Sequence, residues 1–78
     1  AFKTDLDKDR ISLIKYHQDN DVKQFLHLVH RLAGAAAMFG FQKISDVAVE
    51  LESAVAANNT AQIEVLLKSI VFEIEQVN

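Results

Sequence analysis

The sequence has no cysteine, no proline and no tryptophan, and only two glycines. Without cysteine there is no disulfide framework and no thiolate metal site, and a reducing compartment is permitted though not required. Without proline, and with so little glycine, a small all-β domain lacks the turn residues it needs. No apolar run approaches the roughly 20 residues of a membrane span. A basic excess is missing too: 8 Lys and Arg stand against 11 Asp and Glu, a formal net charge of −3, which argues against a general nucleic-acid binder. What remains is a chain of 78 residues, half of them hydrophobic and 24% charged, too apolar for disorder and long enough for one domain. A core that small and unstapled is most readily built by packing helix on helix.

The hydrophobic pattern predicts four helices. The first spans about Asp5 to His17, with Leu6, Ile11, Leu13, Ile14 and Tyr16 in an imperfect helical pattern, and Asp19-Asn20-Asp21 ends it in a turn. The second spans about Asp21 to Phe39. Its Val22, Phe25, Val29, Leu32, Ala36 and Phe39 are spaced alternately three and four apart, an unbroken stripe. Gly40 is its structural stop, placed to take the left-handed conformation after the helix, with Phe41 folding back toward Ala36. The third spans about Gln42 to Ala57, with Ile44, Val47, Ala48, Leu51, Ala54 and Val55 inward. After Asn58-Asn59-Thr60 the fourth runs from about Thr60 to Val77 on Ile63, Leu66, Leu67, Ile70, Val71 and Ile74, with Asn59 and Gln62 spaced as in a capping box. Amphipathic helices joined by turns this short pack antiparallel, so the expected fold is all-α, an antiparallel up-down four-helix bundle.

The second helix carries the chemistry. At about 100° per residue, His30 falls roughly 140° from the middle of the apolar stripe and faces solvent. It shares that face with Leu26, Ala33, Gly34 and Ala37 rather than with Lys, Glu or Gln. A mid-helix glycine costs about 1 kcal/mol relative to alanine, so this smooth face around one imidazole suits close approach by another surface. His27 lies on the same helix one turn before His30. The pair supplies two metal ligands and no third, so no metal site is expected. His17, near the end of the first helix, is read as structural, favoured there by the helix dipole.

The run from His30 to Phe41 (His30-Arg31-Leu32-Ala33-Gly34-Ala35-Ala36-Ala37-Met38-Phe39-Gly40-Phe41) resembles the signature of histidine-containing phosphotransfer (HPt) domains. That pattern is a histidine, an apolar residue two on, commonly Lys then Gly, a run of small residues, and a second Gly ten after the histidine. The likeness extends upstream to Asp21 and downstream through Ile44 to Val49-Glu50-Leu51-Glu52, where the family carries a leucine–glutamate pair. It implies a helical bundle, residues 1–78 forming one such domain, with His30 as phosphoacceptor and Glu52 orienting its ring. Ala33 stands where the family commonly has Lys, so Arg31 and Lys43, with Gln42 beside them, are the candidates to support phosphoryl charge. Leu26, His27, Ala33, Gly34 and Ala37 form the expected docking face.

The resemblance further implies a phospho-carrier rather than an enzyme, moving a phosphoryl group on His30 Nε2 between receiver-domain aspartates in a two-component phosphorelay. The expected partner is a response-regulator receiver with its own Mg²⁺; no cofactor, nucleic acid or membrane contact is expected on this domain. It is expected to be monomeric and cytoplasmic. Because the sequence starts Ala1-Phe2-Lys3, without Met, it is expected to be a segment of a larger sensor kinase. Two alternatives are the phosphotransfer domain of a chemotaxis-type kinase phosphorylated from ATP, whose form Phe39-Gly40-Phe41 resembles, and a non-catalytic helical adaptor.

Overall fold

The computed structural model describes residues 2–77, and side chains from Asp5 onward. Four helices follow one another: α1 (Phe2–Gln18), α2 (Val22–Met38), α3 (Gln42–Ala56) and α4 (Thr60–Glu75). No strand occurs among the described residues. Each helix packs on its neighbours in chain order and α4 returns to α1, which closes an up-down bundle 31 × 21 × 18 Å in extent. The expected fold is therefore the observed one. The α2–α3 pair packs most extensively, and α1 is the most lightly held.

All three turns are built alike. After α1 the Asn20 N–H donates to the His17 carbonyl and the Asp21 N–H to that of Tyr16. After α2 Gly40 and Phe41 donate in the same way to Ala37 and Ala36, and after α3 Asn58 and Asn59 donate to Val55 and Ala54. This double bond is the Schellman motif, which satisfies carbonyls that a helix end leaves open. It needs a left-handed residue, supplied by Asn20 (φ 60°), Gly40 (φ 84°) and Asn58 (φ 54°). Asparagine and glycine are the residues that enter that region most cheaply. The next residue in each turn is already the N-cap of the following helix. The Asp21 side chain accepts from the Gln24 N–H and that of Asn59 from the Gln62 N–H. Phe41 makes no such side-chain bond and instead packs partly buried against the core.

The core is aliphatic: Leu6 and Leu13 from α1, Val29 and Leu32 from α2, Leu51 from α3 and Ile70 from α4 are essentially sealed from solvent. Three expectations change. The first helix begins at Phe2 rather than Asp5. Its Ile11 is exposed on the outer surface, because only the Leu6 and Leu13 side of α1 meets the bundle. On α2, Val22 and Phe39 are exposed because they lie at the ends of the helix, whereas Leu28 and Ala33 are buried. A helix that touches two neighbours buries a wider arc than one stripe, and these two residues flank the stripe on opposite sides.

Candidate functional site

His30 lies near the middle of α2, where intrahelical bonds hold its backbone on both sides. The stripe through Phe25, Val29, Leu32 and Ala36 turns it outward, and 77% of its side-chain surface is exposed. Its Nδ1 lies 2.9 Å from Oε2 of Glu52 on α3. An ionised carboxylate can only accept, so the contact places the ring proton on Nδ1, which donates to Glu52. The remaining nitrogen, Nε2, then carries the free lone pair. The 1,3-related ring nitrogens point in diverging directions, so Nε2 is aimed away from α3. Glu52 is itself only 29% exposed, and its position on a helix flank packed against α2 restricts the rotamers open to it.

A second cross-link fixes the α2–α3 register. The buried Ser45 hydroxyl donates to the Ala33 carbonyl at 2.8 Å. Together the two contacts align α3 antiparallel to α2 beside His30. Lys43 lies nine residues before Glu52 on α3, about 13.5 Å along the helix axis at 1.5 Å per residue from the residue that meets His30. Gln42 is occupied locally, donating from its side-chain amide to Asp46 Oδ1 at 2.8 Å. Arg31 leans the other way, toward α1, and its guanidinium donates to Asp9 Oδ1 at 2.7 Å. Burial pushes the Asp9 carboxyl above its ordinary value of 3.8, with the like charge of Asp5 adding to the rise and Arg31 opposing it. The three charge-support candidates are thus dispersed: one faces Asp9, one caps into its own helix, and one lies farther along the bundle.

The docking face needs one correction. Ala33 is only 9% exposed and belongs to the core, with its carbonyl facing Ser45, so it is not part of an accessible surface. Leu26 is half-buried, while His27, Gly34 and Ala37 are exposed. A β-carbon built on Gly34 meets nothing within 4 Å, so the glycine is not required by helix packing. Met38, one turn past Gly34, is 81% exposed and extends the same outward face. Its spacing of four from Gly34 is the sequence signal that places it on this face. Val49, between Ser45 and Glu52 on α3, adds a second exposed apolar side chain. The pairings of Asp9 with Arg31 and of His17 with Glu64, whose Nε2 and Oε1 lie 3.0 Å apart, join different helices and have no signal in the sequence pattern.

An outward imidazole with one ring nitrogen held by a carboxylate, on a helix beside a glycine-smoothed face, has the geometry to exchange a group with another macromolecule. A family model for the Hpt domain matches residues 1–77. The chain belongs to the Hpt domain family. No curated protein and no solved structure gives a significant match. Hpt domains are the histidine phosphotransfer modules of two-component phosphorelays, and they act as phospho-carriers that interact with receiver domains of response regulators. Among the described residues of this Hpt domain no group of three or more His, Asp or Glu is placed to hold a metal ion. Nor is any described helix long and apolar enough to cross a membrane.

Proposed function

We propose that His30 Nε2 is the phosphoacceptor of this Hpt domain, loaded from and discharged to the acceptor aspartates of receiver domains. The observation that carries this reading is the 2.9 Å contact of His30 Nδ1 with Glu52, which leaves Nε2 as the nucleophilic nitrogen on an exposed helix face. In loading, the Nε2 lone pair forms the N–P bond as the P–O bond of an aspartyl phosphate breaks. The electron pair leaves with the aspartate carboxylate. The ring keeps its Nδ1 proton and becomes cationic, and Glu52 faces that charge; discharge is the reverse. Phosphoryl transfer requires in-line positioning and charge stabilisation more than covalent help from the carrier. A rigidly held imidazole is therefore sufficient here, while the receiver, with its Mg²⁺, supplies the remaining groups.

Two other histidines compete for the role. His27 is exposed but has no carboxylate partner among the contacts seen, and the His17 Nε2 is itself engaged by Glu64. A helical adaptor would account for the small apolar face but not for the orientation of His30 by Glu52. The test is His30→Gln, offered to a phosphorylated receiver beside wild type. The variant should keep its helical circular dichroism and take up no acid-labile, alkali-stable phosphate. Labelling at the wild-type level would transfer the role to another residue.

A further inference from the structure

On the α1 side of His30 lies a groove of about 420 Å³ that the phosphoacceptor itself borders. Leu28 of α2 lines it with one apolar side chain; of the polar side chains, Ser12 and Tyr16 of α1 form one wall, and Gln24, His27 and Arg31 of α2 form the other. Each of these five polar side chains can donate a hydrogen bond, and among the described residues no carboxylate lines the groove. That is unusual for this chain, whose net charge is −3. The charge is segregated by helix: the charged or ionisable residues of α2 are Lys23, His27, His30 and Arg31, with no Asp or Glu between Val22 and Met38. Asp9 accepts one hydrogen bond from one guanidinium nitrogen of Arg31, which leaves other N–H groups of the fork to donate elsewhere.

The position of the His30 ring makes the groove relevant. Glu52 anchors Nδ1 on the α3 side, and the His30 side chain itself lines the groove between α1 and α2. His27 precedes His30 by three residues, a spacing that makes the two side chains neighbours on the helix surface. The lysine position common in the family is filled by the buried Ala33, and Lys43 lies nine residues along α3 from the Glu52 that meets His30, so positive charge at the reacting atom has to come from somewhere else.

We infer that this α1–α2 groove is an oxyanion subsite, in which donors from His27, Gln24 and Tyr16, backed by Arg31, hold the phosphoryl oxygens while phosphorus is transferred to and from His30 Nε2. The inference rests on His30 being the acceptor. Its ligand chemistry is a tetrahedral phosphoryl dianion, whether presented by a receiver aspartate or by a small phosphodonor. Donors aimed at developing oxyanion charge act on the transition state, so their removal slows transfer without unfolding the bundle. Tyr16 is partly buried, and Tyr16→Phe keeps its packing while deleting only the hydroxyl.

The test uses phosphoramidate, a small anionic donor that needs no protein docking, and diethyl pyrocarbonate, a neutral reagent that acylates the same imidazole nitrogen. With phosphoramidate the N–P bond to His30 forms as the donor's own P–N bond breaks, and ammonia leaves with the electron pair. The doubly substituted His27→Ala/Gln24→Ala protein should be phosphorylated on His30 about tenfold more slowly than wild type, and Tyr16→Phe by a smaller factor in the same direction. Acylation of His30 by diethyl pyrocarbonate should proceed at the wild-type rate in all of them, because no oxyanion is delivered to the groove. Unchanged phosphoramidate rates in the variants, with wild type labelled on His30, would overturn the subsite and leave the acceptor intact. An equal fall in both reactions would also overturn it, since that pattern reports a disturbed imidazole. Absence of label on His30 in wild type itself would instead remove the acceptor assignment on which the subsite rests.

Discussion

Gly34 separates stability from function in a single position. It lies within α2, one turn beyond His30, is exposed, and a β-carbon there meets nothing within 4 Å. It has none of the positive φ that marks Gly40, so its backbone is one that any L-residue adopts. Replacing glycine by alanine in an exposed helix interior is worth up to about 1 kcal/mol, partly through the lower entropy of the unfolded chain. For a domain of this size that is about 4–8 °C in Tm. Glutamine is a slightly poorer helix former than alanine, so Gly34→Gln should still gain roughly 0.5 kcal/mol. Its function should move the other way. In-line transfer needs reacting atoms about 3–3.5 Å apart, and a misplacement of about 1 Å can cost a hundredfold in rate. A glutamine side chain standing one turn from His30 keeps a receiver from that distance. Transfer from a phosphorylated receiver should therefore fall by about a hundredfold, while loading from phosphoramidate changes little. Thermal unfolding and the two transfer rates, measured on wild type, Gly34→Ala and Gly34→Gln, decide the matter. A glutamine variant destabilised by more than about 2 kcal/mol would mean that Gly34 serves packing. One that accepts phosphate from the receiver at the wild-type rate would mean that the face beside His30 is not where the receiver docks.

Glu52→Gln should leave stability within about 0.5 kcal/mol, as expected for a hydrogen bond to a largely solvent-facing imidazole, but weaken the preference for the Nδ1–H tautomer of His30 and slow phosphotransfer. Ring ¹⁵N shifts read the tautomer directly, and an unchanged ratio with an unchanged rate would reduce Glu52 to a bystander. Gly40→Ala forces a β-carbon into a left-handed backbone at φ 84° and should cost about 1–2 kcal/mol in chemical denaturation, whereas Asn20→Gly should be tolerated at the equivalent position. Asp9→Asn tests the partly buried carboxyl. Because burial raises Asp9 in the folded protein, the native state holds its proton more tightly than the unfolded chain does, and wild type should lose stability relative to the variant as pH rises past about 3.8. Urea melts of the two proteins across the acid range measure that difference, and a wild-type advantage that grows with pH would show that the Arg31 pair outweighs desolvation.

How far the molecule can be read without its fold depends on the distance over which each feature is decided. The extent of α2 and the turns at Asn20, Gly40 and Asn58 are local. They follow from spacings of three and four and from residues that enter the left-handed region cheaply, so residue order alone suffices. The outward aim of His30 is local too, since a helix wheel converts its distance from the stripe into an angle. Glu52 lies 22 residues from His30, and periodicity by itself does not select it from the other acids of α3; the family resemblance does, and the α2–α3 register brings the two side chains to 2.9 Å. Ala33 shows the limit from the other side. The wheel puts it on the edge of the exposed arc, and only the packing of α3, with Ser45 against its carbonyl, draws it into the core. The same holds for Arg31 and Asp9, and for the donor-lined groove between α1 and α2. Secondary structure and the facing of one residue are set by neighbours within a few turns, and a sequence carries those in its order. Which side chains meet across helices is set by the rotation and register of each helix, and these are chosen by the whole core at once.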